Sequence, residues 1–300
     1  MRASLAQWLS GGRHLPYNGG SVFLKQGGSG PKLLLVHRTP IGAFDWHLAW
    51  PHLCDCFSVM APDLPGMGLS AGFEFDNSAS VVQWVAFLEH LVRAEGWTNF
   101  FVVAHGLGVP VVQELLARDD RARLPRIGGV VFLNGLLFPD EWRPLLRERL
   151  MQTRVAGLLR LRTDKASFGR GVSDLFGTVS PATGDMVNDF HDLAGATGIQ
   201  RYAHQTTVEA TASLSRSDLR VASMLNTTIP LRFVSGEADK RLGQRMSQRY
   251  RLVSPNADVV RLAEVGHWPQ LEVPRLVVGY IAQKLLYIRR RRTSTASVLR

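Results

Sequence analysis

Cysteine is nearly missing from this sequence, and so are long hydrophobic runs. The only two cysteines, Cys54 and Cys56, stand two residues apart, where they are badly placed to bridge each other. This usage suits a reducing compartment, and we expect a cytoplasmic protein. The apolar runs are no longer than a strand, so no transmembrane segment is predicted, and the first residues make a poor secretory signal.

Acidic residues are also fewer than basic residues in this sequence. The chain has 25 acidic and 35 basic side chains, which gives a formal net charge of +10. Most arginines are scattered and no nucleic-acid-binding motif is present, so we expect no nucleic-acid partner. The clearest basic cluster is Arg289–Arg292. We interpret residues 289–300 as a flexible, solvated tail, and the alternative is weak contact with anionic lipid or nucleic acid.

What the chain does have is a regular alternation of strand-like and helical segments. Such alternation predicts an α/β domain whose mostly parallel, twisted sheet carries helices on both faces. At 300 residues and 45% hydrophobic content, the chain is long enough to bury a large core. The predicted strands cover residues 21–25, 32–37, 57–61, the apolar run from Phe100, 127–133, 230–235 and 258–262.

The segment from residue 139 to residue 223 has a different character. Strand-like runs vanish there, and Arg, Gly, Ser and Asp become frequent. We interpret it as a helical lid inserted between two strands, at the sheet edge where ligands bind in open α/β folds. The core is then residues 1–138 and 224–288, and it closes with an amphipathic helix over 271–288. Residues 27–30 (GGSG) lack the Lys-Ser or Lys-Thr of a phosphate loop and are interpreted as a hairpin turn.

A strand, a sharp turn and a helix follow one another in residues 100–118 (FFVVAHGLGVPVVQELLAR). This order builds the nucleophile elbow of a large class of hydrolases, with the pattern small-x-nucleophile-x-Gly. Here residues 104–108 read AHGLG, so Gly106 stands at the nucleophile position. Glycine tolerates the positive φ of an elbow but offers no oxygen or sulfur for attack.

An acid and a histidine follow two later strands. Asp239 lies in residues 235–239 (SGEAD), and His267 lies in residues 265–272 (VGHWPQLE). The order elbow, acid, base is that of a catalytic triad in this class. We therefore predict that the Asp239 carboxylate accepts a hydrogen bond from one ring nitrogen of His267, which leaves the other nitrogen as a base.

Together these residues resemble the α/β-hydrolase superfamily over nearly the whole chain. Residues 37–46 and 133–146 look like the branch that holds haloalkane dehalogenases, epoxide hydrolases and mesoderm-specific-transcript (MEST) proteins, as does Tyr202 with its neighbours 203–205. The resemblance implies the α/β-hydrolase fold with an inserted lid and a small, largely apolar substrate of the ester, epoxide or lactone type. In that branch the elbow residue is typically Asp, and Gly106 departs from this pattern.

The resemblance also implies an oxyanion hole and a set of substrate contacts. Backbone N–H groups of Thr39 and Leu107 are the implied donors to the oxyanion. Arg38 takes the place of the usual glycine beside this hole; read alone, it could equally be a solvated loop residue. Leu107 replaces the halide-holding Trp of dehalogenases, which argues against dehalogenation. The candidate substrate-binding residues are Arg38, Trp46, His105, Asn134, Tyr202 and Trp268.

Metal and cofactor chemistry find no support in the sequence. His105, His191 and His204 lack metal-ligand spacing and have no Cys partner, so we expect no metal and no cofactor. Tyr202 could polarise a substrate oxygen from the lid, although a Tyr packed under the lid explains the same pattern. Three functions remain open: an Asp–His pair that acts on water or on a substrate proton, a pocket that only binds a small molecule, or a disabled form of an ordinary hydrolase.

Overall fold

The computed structural model describes residues 3–39, 41–70, 73, 80–119, 125–142, 165–196 and 216–298. These described residues contain eight strands: β1 Gly12–Tyr17, β2 Gly20–Gly27, β3 Lys32–Val36, β4 Ser58–Pro62, β5 Asn99–Gly106, β6 Arg126–Gly135, β7 Leu231–Gly236 and β8 Val259–Leu262. The described α-helices are α1 Ala3–Leu9, α2 Trp50–Cys54, α3 Ser80–Ala94, α4 Gly108–Asp119, α5 Lys165–Ser173, α6 Gly184–Ala196, α7 Ser217–Asn226, α8 Gly243–Val253, α9 Pro269–Glu272 and α10 Pro274–Val298. Short 3₁₀ helices cover Gly42–Trp46 and Pro139–Glu141.

The strands form one sheet in the order β1-β2-β4-β3-β5-β6-β7-β8. All neighbours from β4 to β8 in this order are parallel, whereas β1 and β2 pair antiparallel with each other and β2 pairs antiparallel with β4. The central strands β3, β5 and β6 are apolar along nearly their whole length because helices cover both of their faces. The predicted mostly parallel α/β sheet is confirmed.

Two hydrophobic layers enclose the sheet. One contains side chains of α3, α4, α7 and α8, and the other contains side chains of α1, α2, α6 and α10. Alternate residues of each central strand enter opposite layers, as the two-residue period of a strand requires. This sandwich places the ends of β3, β5, β6, β7 and β8 at one edge of the sheet, and the described candidate residues lie at these strand ends or in the segments that follow them.

Several local predictions need correction. Residues 27–30 are not a hairpin turn, because β2 pairs with β1 and β4 and not with β3. The hairpin lies instead between β1 and β2, at Asn18 and Gly19, both of which have positive φ. The helix predicted over residues 45–54 is two short helices, and the second begins beside Pro51, whose ring fits the first turn of a helix.

The chain's closing helix is longer than predicted. It starts at Pro274 and continues through Arg289–Arg292 to Val298, where a flexible tail was expected from residue 289. Arginine is a good helix former, so a run of four arginines extends a helix that the core has already nucleated. Among the described helices, none combines the length and the apolar character that crossing a bilayer requires.

The regular elements described between β6 and β7 are all helical, and turns and loops such as residues 174–183 connect them. These elements are the 3₁₀ turn Pro139–Glu141 and the helices α5, α6 and α7. Helix α7 packs against α4, the helix that follows the elbow, and its Met224 side chain is buried there. The insert is therefore in direct contact with the helix that follows Gly106. Residues 143–164 and 197–215, which include Tyr202, lie outside the described residues.

Candidate active site

The predicted elbow is present between β5 and α4. Gly106 is the last residue of β5 and has a φ of +56°, the left-handed conformation of a nucleophile elbow. Gly108 opens α4 so close to β3 that a Cβ atom there would lie 2.3 Å from the Val36 carbonyl oxygen. Both glycines therefore meet backbone requirements of the turn, and Gly106 keeps the shape of the elbow without an attacking atom.

The volume beside Gly106 is filled by Arg38. A Cβ atom on residue 106 would lie 2.3 Å from the Arg38 Cβ and 3.4 Å from both its Cα and its Cδ. The Arg38 guanidinium carbon then lies 4.7 Å from the centre of the Trp268 ring, in cation–π contact. The resemblance predicts glycine at position 38 and a side chain at position 106. This chain has the reverse arrangement, and one side chain occupies the space in either case.

The predicted acid–base pair is present after β7 and β8. The His267 Nδ1 lies 2.6 Å from Oδ2 of Asp239, and both side chains are buried. His267 is 2% exposed, and its Nε2 has no hydrogen-bond partner among the described residues. Burial lowers the pKa of His267, Asp239 raises it and the positive charge of Arg38 lowers it, and the net result is a pKa of about 3. The ring is therefore neutral at physiological pH, with Nε2 able to accept a proton.

Asp239 is ionised despite its burial. Burial alone would raise its pKa, but His267 and Arg241 outweigh that effect and hold the pKa below the ordinary value. The backbone N–H of Arg241 donates to Oδ1 of Asp239 at 3.0 Å, while Oδ2 faces His267. Each carboxylate oxygen thus has a partner that fixes the orientation of the carboxylate toward the ring.

Asn134 holds the loops that carry this pair. Its Oδ1 accepts from the Gly236 N–H at 2.6 Å, and its Nδ2 faces the Gly236 carbonyl at 2.9 Å, Oδ2 of Asp239 at 3.2 Å and the Gly266 carbonyl at 3.3 Å. The amide has no donor to spare for a substrate. These contacts connect Asn134 to the loops that carry the acid and the base, and its predicted role in substrate binding stays a prediction.

His105 contacts two other segments of the site. Its Nε2 lies 2.8 Å from the His267 carbonyl oxygen, and its Nδ1 lies 2.5 Å from Oδ2 of Asp45. Asp45 in turn accepts from the indole N–H of Trp268 at 2.9 Å. Both ring nitrogens contact groups within the protein, and the predicted contact of His105 with substrate stays a prediction. The Asp45–His105 pair connects the elbow strand to the loop that bears the base.

The other predicted residues lie around the same site. Thr39, Leu107 and Trp46 are buried, and Trp46 packs edge-on against His105 with an indole N–H that has no partner among the described residues. Trp268 packs between Arg38 and the aromatic rings of the insert, Phe176 and Phe190. Their roles in an oxyanion hole or in substrate binding stay predictions. Tyr202 lies outside the described residues.

Sequence reasoning missed Asp45 as a site residue. It stands in a buried segment, Gly42–Trp46, and its carboxylate meets the side chains of His105 and Trp268, which are distant in the sequence. An aspartate between large apolar residues was the available signal, since a buried carboxylate needs polar partners. Glu272 was also missed. It caps the base loop by accepting from the backbone N–H groups of Gly177 and Gly266.

Comparison with known proteins identifies a family for this chain. The sequence model of the alpha/beta hydrolase family matches residues 33–279. The protein LipZ of Mycobacterium tuberculosis is 28% identical over 276 residues, which is 91% of this chain and 94% of LipZ. The mesoderm-specific transcript homolog protein of Homo sapiens is 28% identical over 289 residues, which cover 90% of this chain and 84% of that protein.

A solved structure gives the same result for the fold. The haloalkane dehalogenase DbeA from Bradyrhizobium elkani superposes with a TM-score of 0.78 at 16% identity, over 93% of this chain and 99% of that chain. The resemblance to the branch of dehalogenases and MEST proteins, predicted from residues 37–46 and 133–146, is confirmed. The fold, the elbow and the matched segment agree, and the chain belongs to the alpha/beta hydrolase family.

Proposed function

We propose that this protein hydrolyses a small, largely apolar ester, lactone or epoxide slowly, with water as the attacking group and no covalent intermediate. One observation carries the proposal. His267 is held by Asp239 at 2.6 Å through Nδ1, and its Nε2 is buried without a partner among the described residues. A neutral imidazole fixed in this tautomer is the arrangement of a general base.

The proposed hydrolysis uses water, His267 and backbone N–H groups of the site. His267 Nε2 takes a proton from water as the water oxygen bonds to the ester carbonyl carbon. The resulting oxyanion would be held by the backbone N–H groups of Thr39 and Leu107. When the intermediate collapses, the C–O bond to the alcohol breaks, and the alkoxide takes the proton from His267. No step needs an atom from Gly106.

Turnover should be slow for two reasons. Glycine removes the covalent route, which normally splits one difficult step into two easier ones. The pKa of His267, lowered to about 3 chiefly by burial, makes the ring a weak base near neutral pH. The retained acid–base geometry supports catalysis, and the loss of the nucleophile supports a slow rate.

The test is the initial rate of hydrolysis of 4-nitrophenyl butyrate, γ-butyrolactone and styrene oxide. We expect His267→Gln and Asp239→Asn to reduce any activity by roughly 100-fold or more, because a positioned general base contributes about that much. His14→Gln is the matched control, since His14 is exposed on the edge strand β1. Equal rates for native protein and His267→Gln would disprove the proposed role.

A second candidate is a hydrolase-fold protein that binds a small molecule without converting it. The specific observation in its favour is the Arg38 side chain beside Gly106, which fills the volume of an attacking side chain with a cation. This candidate predicts that a small molecule raises the melting temperature while all three substrates remain intact.

A further inference from the structure

His105 is held between two hydrogen-bond acceptors. Its Nε2 lies 2.8 Å from the His267 carbonyl oxygen, and its Nδ1 lies 2.5 Å from Oδ2 of Asp45. A carbonyl oxygen has no proton to donate, so the proton of the Nε2 contact belongs to His105. A neutral imidazole has only one N–H group. The second contact therefore needs one further proton, which is carried either by the ring or by the carboxyl group of Asp45.

The surroundings of Asp45 place this proton on the ring. The indole N–H of Trp268 donates to Oδ1 at 2.9 Å, and the backbone N–H of Arg38 faces Oδ2 at 3.5 Å. Donors at both oxygens stabilise an ionised carboxylate. Burial raises the pKa of Asp45, but His105, Arg38 and His37 outweigh burial and hold the pKa below its ordinary value. An ionised carboxylate at a fully buried position needs a cation beside it, and the His105 ring is within hydrogen-bond distance.

We propose that His105 is a doubly protonated imidazolium paired with the Asp45 carboxylate, and that this buried ion pair positions the loop of His267. Nδ1–H donates to Asp45, and Nε2–H donates to the His267 carbonyl oxygen. A ring with a single proton would set a bare nitrogen against one of these two acceptors, and that contact would be lost. That the positioned loop carries a working base rests on the proposed function, whereas the charge of His105 does not.

The side-chain amide of Gln270 fits a protonated Nδ1 in one of its two orientations. Its nitrogen Nε2 lies 2.9 Å from His105 Nδ1, and its oxygen Oε1 is buried with no partner in the part of the chain that the structure describes. Rotation of the amide by about 180° exchanges two groups of nearly the same shape. The oxygen then shares the Nδ1–H with Asp45. An imidazolium therefore fixes the amide of Gln270 with its oxygen toward the ring.

The neighbouring titratable groups make different contacts from those of His105. His37 accepts a backbone N–H at its Nε2, and its pKa is lowered to about 4, chiefly by burial. The ring centre of His267 lies 5.0 Å from that of His105, and the pKa of His267 is lowered to about 3, chiefly by burial. Arg38 is a second cation near Asp45, and its charge also lowers the pKa of that carboxyl group. Of these three buried histidines, His105 is the one whose two nitrogens both face acceptors.

Nuclear magnetic resonance of protein labelled with nitrogen-15 in histidine shows which ring nitrogens carry protons. At about pH 7.5 an ordinary histidine, with a pKa of about 6.5, is mainly neutral. We expect His105 to carry a proton on both nitrogens at this pH, and His267 to carry one on Nδ1 alone. The His105 signals are assigned by their proximity to the Trp46 ring, whose centre lies 6.3 Å away. This measurement needs no variant, and a bare nitrogen on His105 would overturn the proposal.

Asp45→Asn tests the counter-ion. The amide has the shape of the carboxylate, so its oxygen can accept from the Trp268 indole while its NH₂ group donates to His105 Nδ1. We expect this variant to lose the imidazolium signal and to keep one proton on Nε2 of His105. Asp55→Asn removes an exposed carboxylate and is the matched control, in which both protons should remain. An imidazolium that persists in Asp45→Asn would show that Asp45 is not its partner.

His105→Gln tests the positioning of the loop. We expect the Nδ1 proton of His267, which faces Asp239, to exchange with water roughly tenfold faster or more, because the loop loses its contact with Nε2–H. The kcat for ester hydrolysis should fall by roughly as much, with little change in KM. His14→Gln, at an exposed position on β1, should leave both quantities unchanged. Circular dichroism shows which of His105→Gln and the shorter His105→Asn are folded.

The outcomes separate this inference from the proposed function. An unchanged exchange rate of the His267 proton in a folded His105 variant would overturn the positioning role, even where His267-dependent hydrolysis is found. A doubly protonated His105 and faster exchange in its variant, without hydrolysis of any substrate, would support this inference while the proposed function fails.

Discussion

At the scale of single residues, Gly106 and Arg38 form a coupled pair. Gly106→Asp alone should destabilise the protein by about 3 kcal/mol, because its Cβ would lie 2.3 Å from the Arg38 Cβ and the backbone has positive φ. The measurement is urea unfolding of the native protein and the variant. A variant as stable as the native chain would show that Arg38 moves aside without strain.

The double variant tests the same pair in the opposite direction. In the double variant Arg38→Gly, Gly106→Asp, residue 38 has no side chain. Its Cα then lies 3.4 Å from the Cβ of the new aspartate. We expect it to recover most of the stability lost in Gly106→Asp. The introduced carboxylate should also form an ester with an epoxide substrate, which mass spectrometry would detect. Adding His267→Gln to this double variant should not remove the ester, because the imidazole acts only in the later hydrolysis step. A double variant as unstable as Gly106→Asp would contradict the coupling.

At the scale of elements, Asn134 at the end of β6 joins the loops after β7 and β8. Asn134→Ala leaves the buried N–H and carbonyl of Gly236 without their side-chain partners. We expect a loss of about 2 kcal/mol in the free energy of unfolding, together with lower activity, since Asp239 loses one of its donors. Urea unfolding measures the stability, and initial rates of hydrolysis measure the activity. If Asn134→Ala is as stable and as active as the native protein, Asn134 does not position the acid and the base.

Helices α4 and α7 meet around a buried carboxylate, Glu114. It is 1% exposed and faces Arg118 and Arg216, while its charge also acts on the buried Arg220 of α7. Glu114→Ala should destabilise the protein by about 1 kcal/mol or more, because the buried Arg220 loses a nearby opposite charge, while Arg118 and Arg216 are partly exposed to solvent. Chemical unfolding checks this, and a loss below about 0.5 kcal/mol would show that the cluster is solvated.

The sequence predicted the central elements well because their signals are local. Strands β3, β5 and β6 are apolar runs bounded by turns, and the order of the elbow, Asp239 and His267 follows the chain. Strand β1 (GRHLPY) was missed because an exposed edge strand is polar. The Arg38–Gly106 contact and the network of Asp45 could not be predicted, since they depend on packing between residues that are distant in the sequence.

At the scale of the whole molecule, stability should depend on pH through His267. Burial lowers the folded-state pKa to about 3, below the ordinary value of 6.5. The unfolded ring takes up a proton below pH 6.5 while the folded ring does not, so this contribution to stability is present above pH 6.5 and is lost as the pH falls toward 3. Between about pH 7 and about pH 5.5 the native protein should lose about 1 kcal/mol more than His267→Gln.

Urea unfolding of both proteins at the two pH values measures this difference. The comparison with His267→Gln removes the contributions of other titrating groups, such as Asp63, whose pKa burial raises to about 7. For Asp63 the sign is opposite, because a raised pKa adds stability that is lost as the pH rises. Equal losses in the native protein and His267→Gln would mean that the folded ring titrates normally.

The most direct test of a site that works without a nucleophile is the first turnover. The native protein is mixed with 4-nitrophenyl butyrate in a stopped-flow instrument, and the release of nitrophenol is followed. The mass of the protein in quenched samples is then measured by intact-mass spectrometry. We expect slow, linear release of nitrophenol from time zero, no increase in protein mass, and loss of the release in His267→Gln. A burst of nitrophenol equal to the amount of protein, with a butyryl group attached to a residue near the elbow, would contradict this expectation.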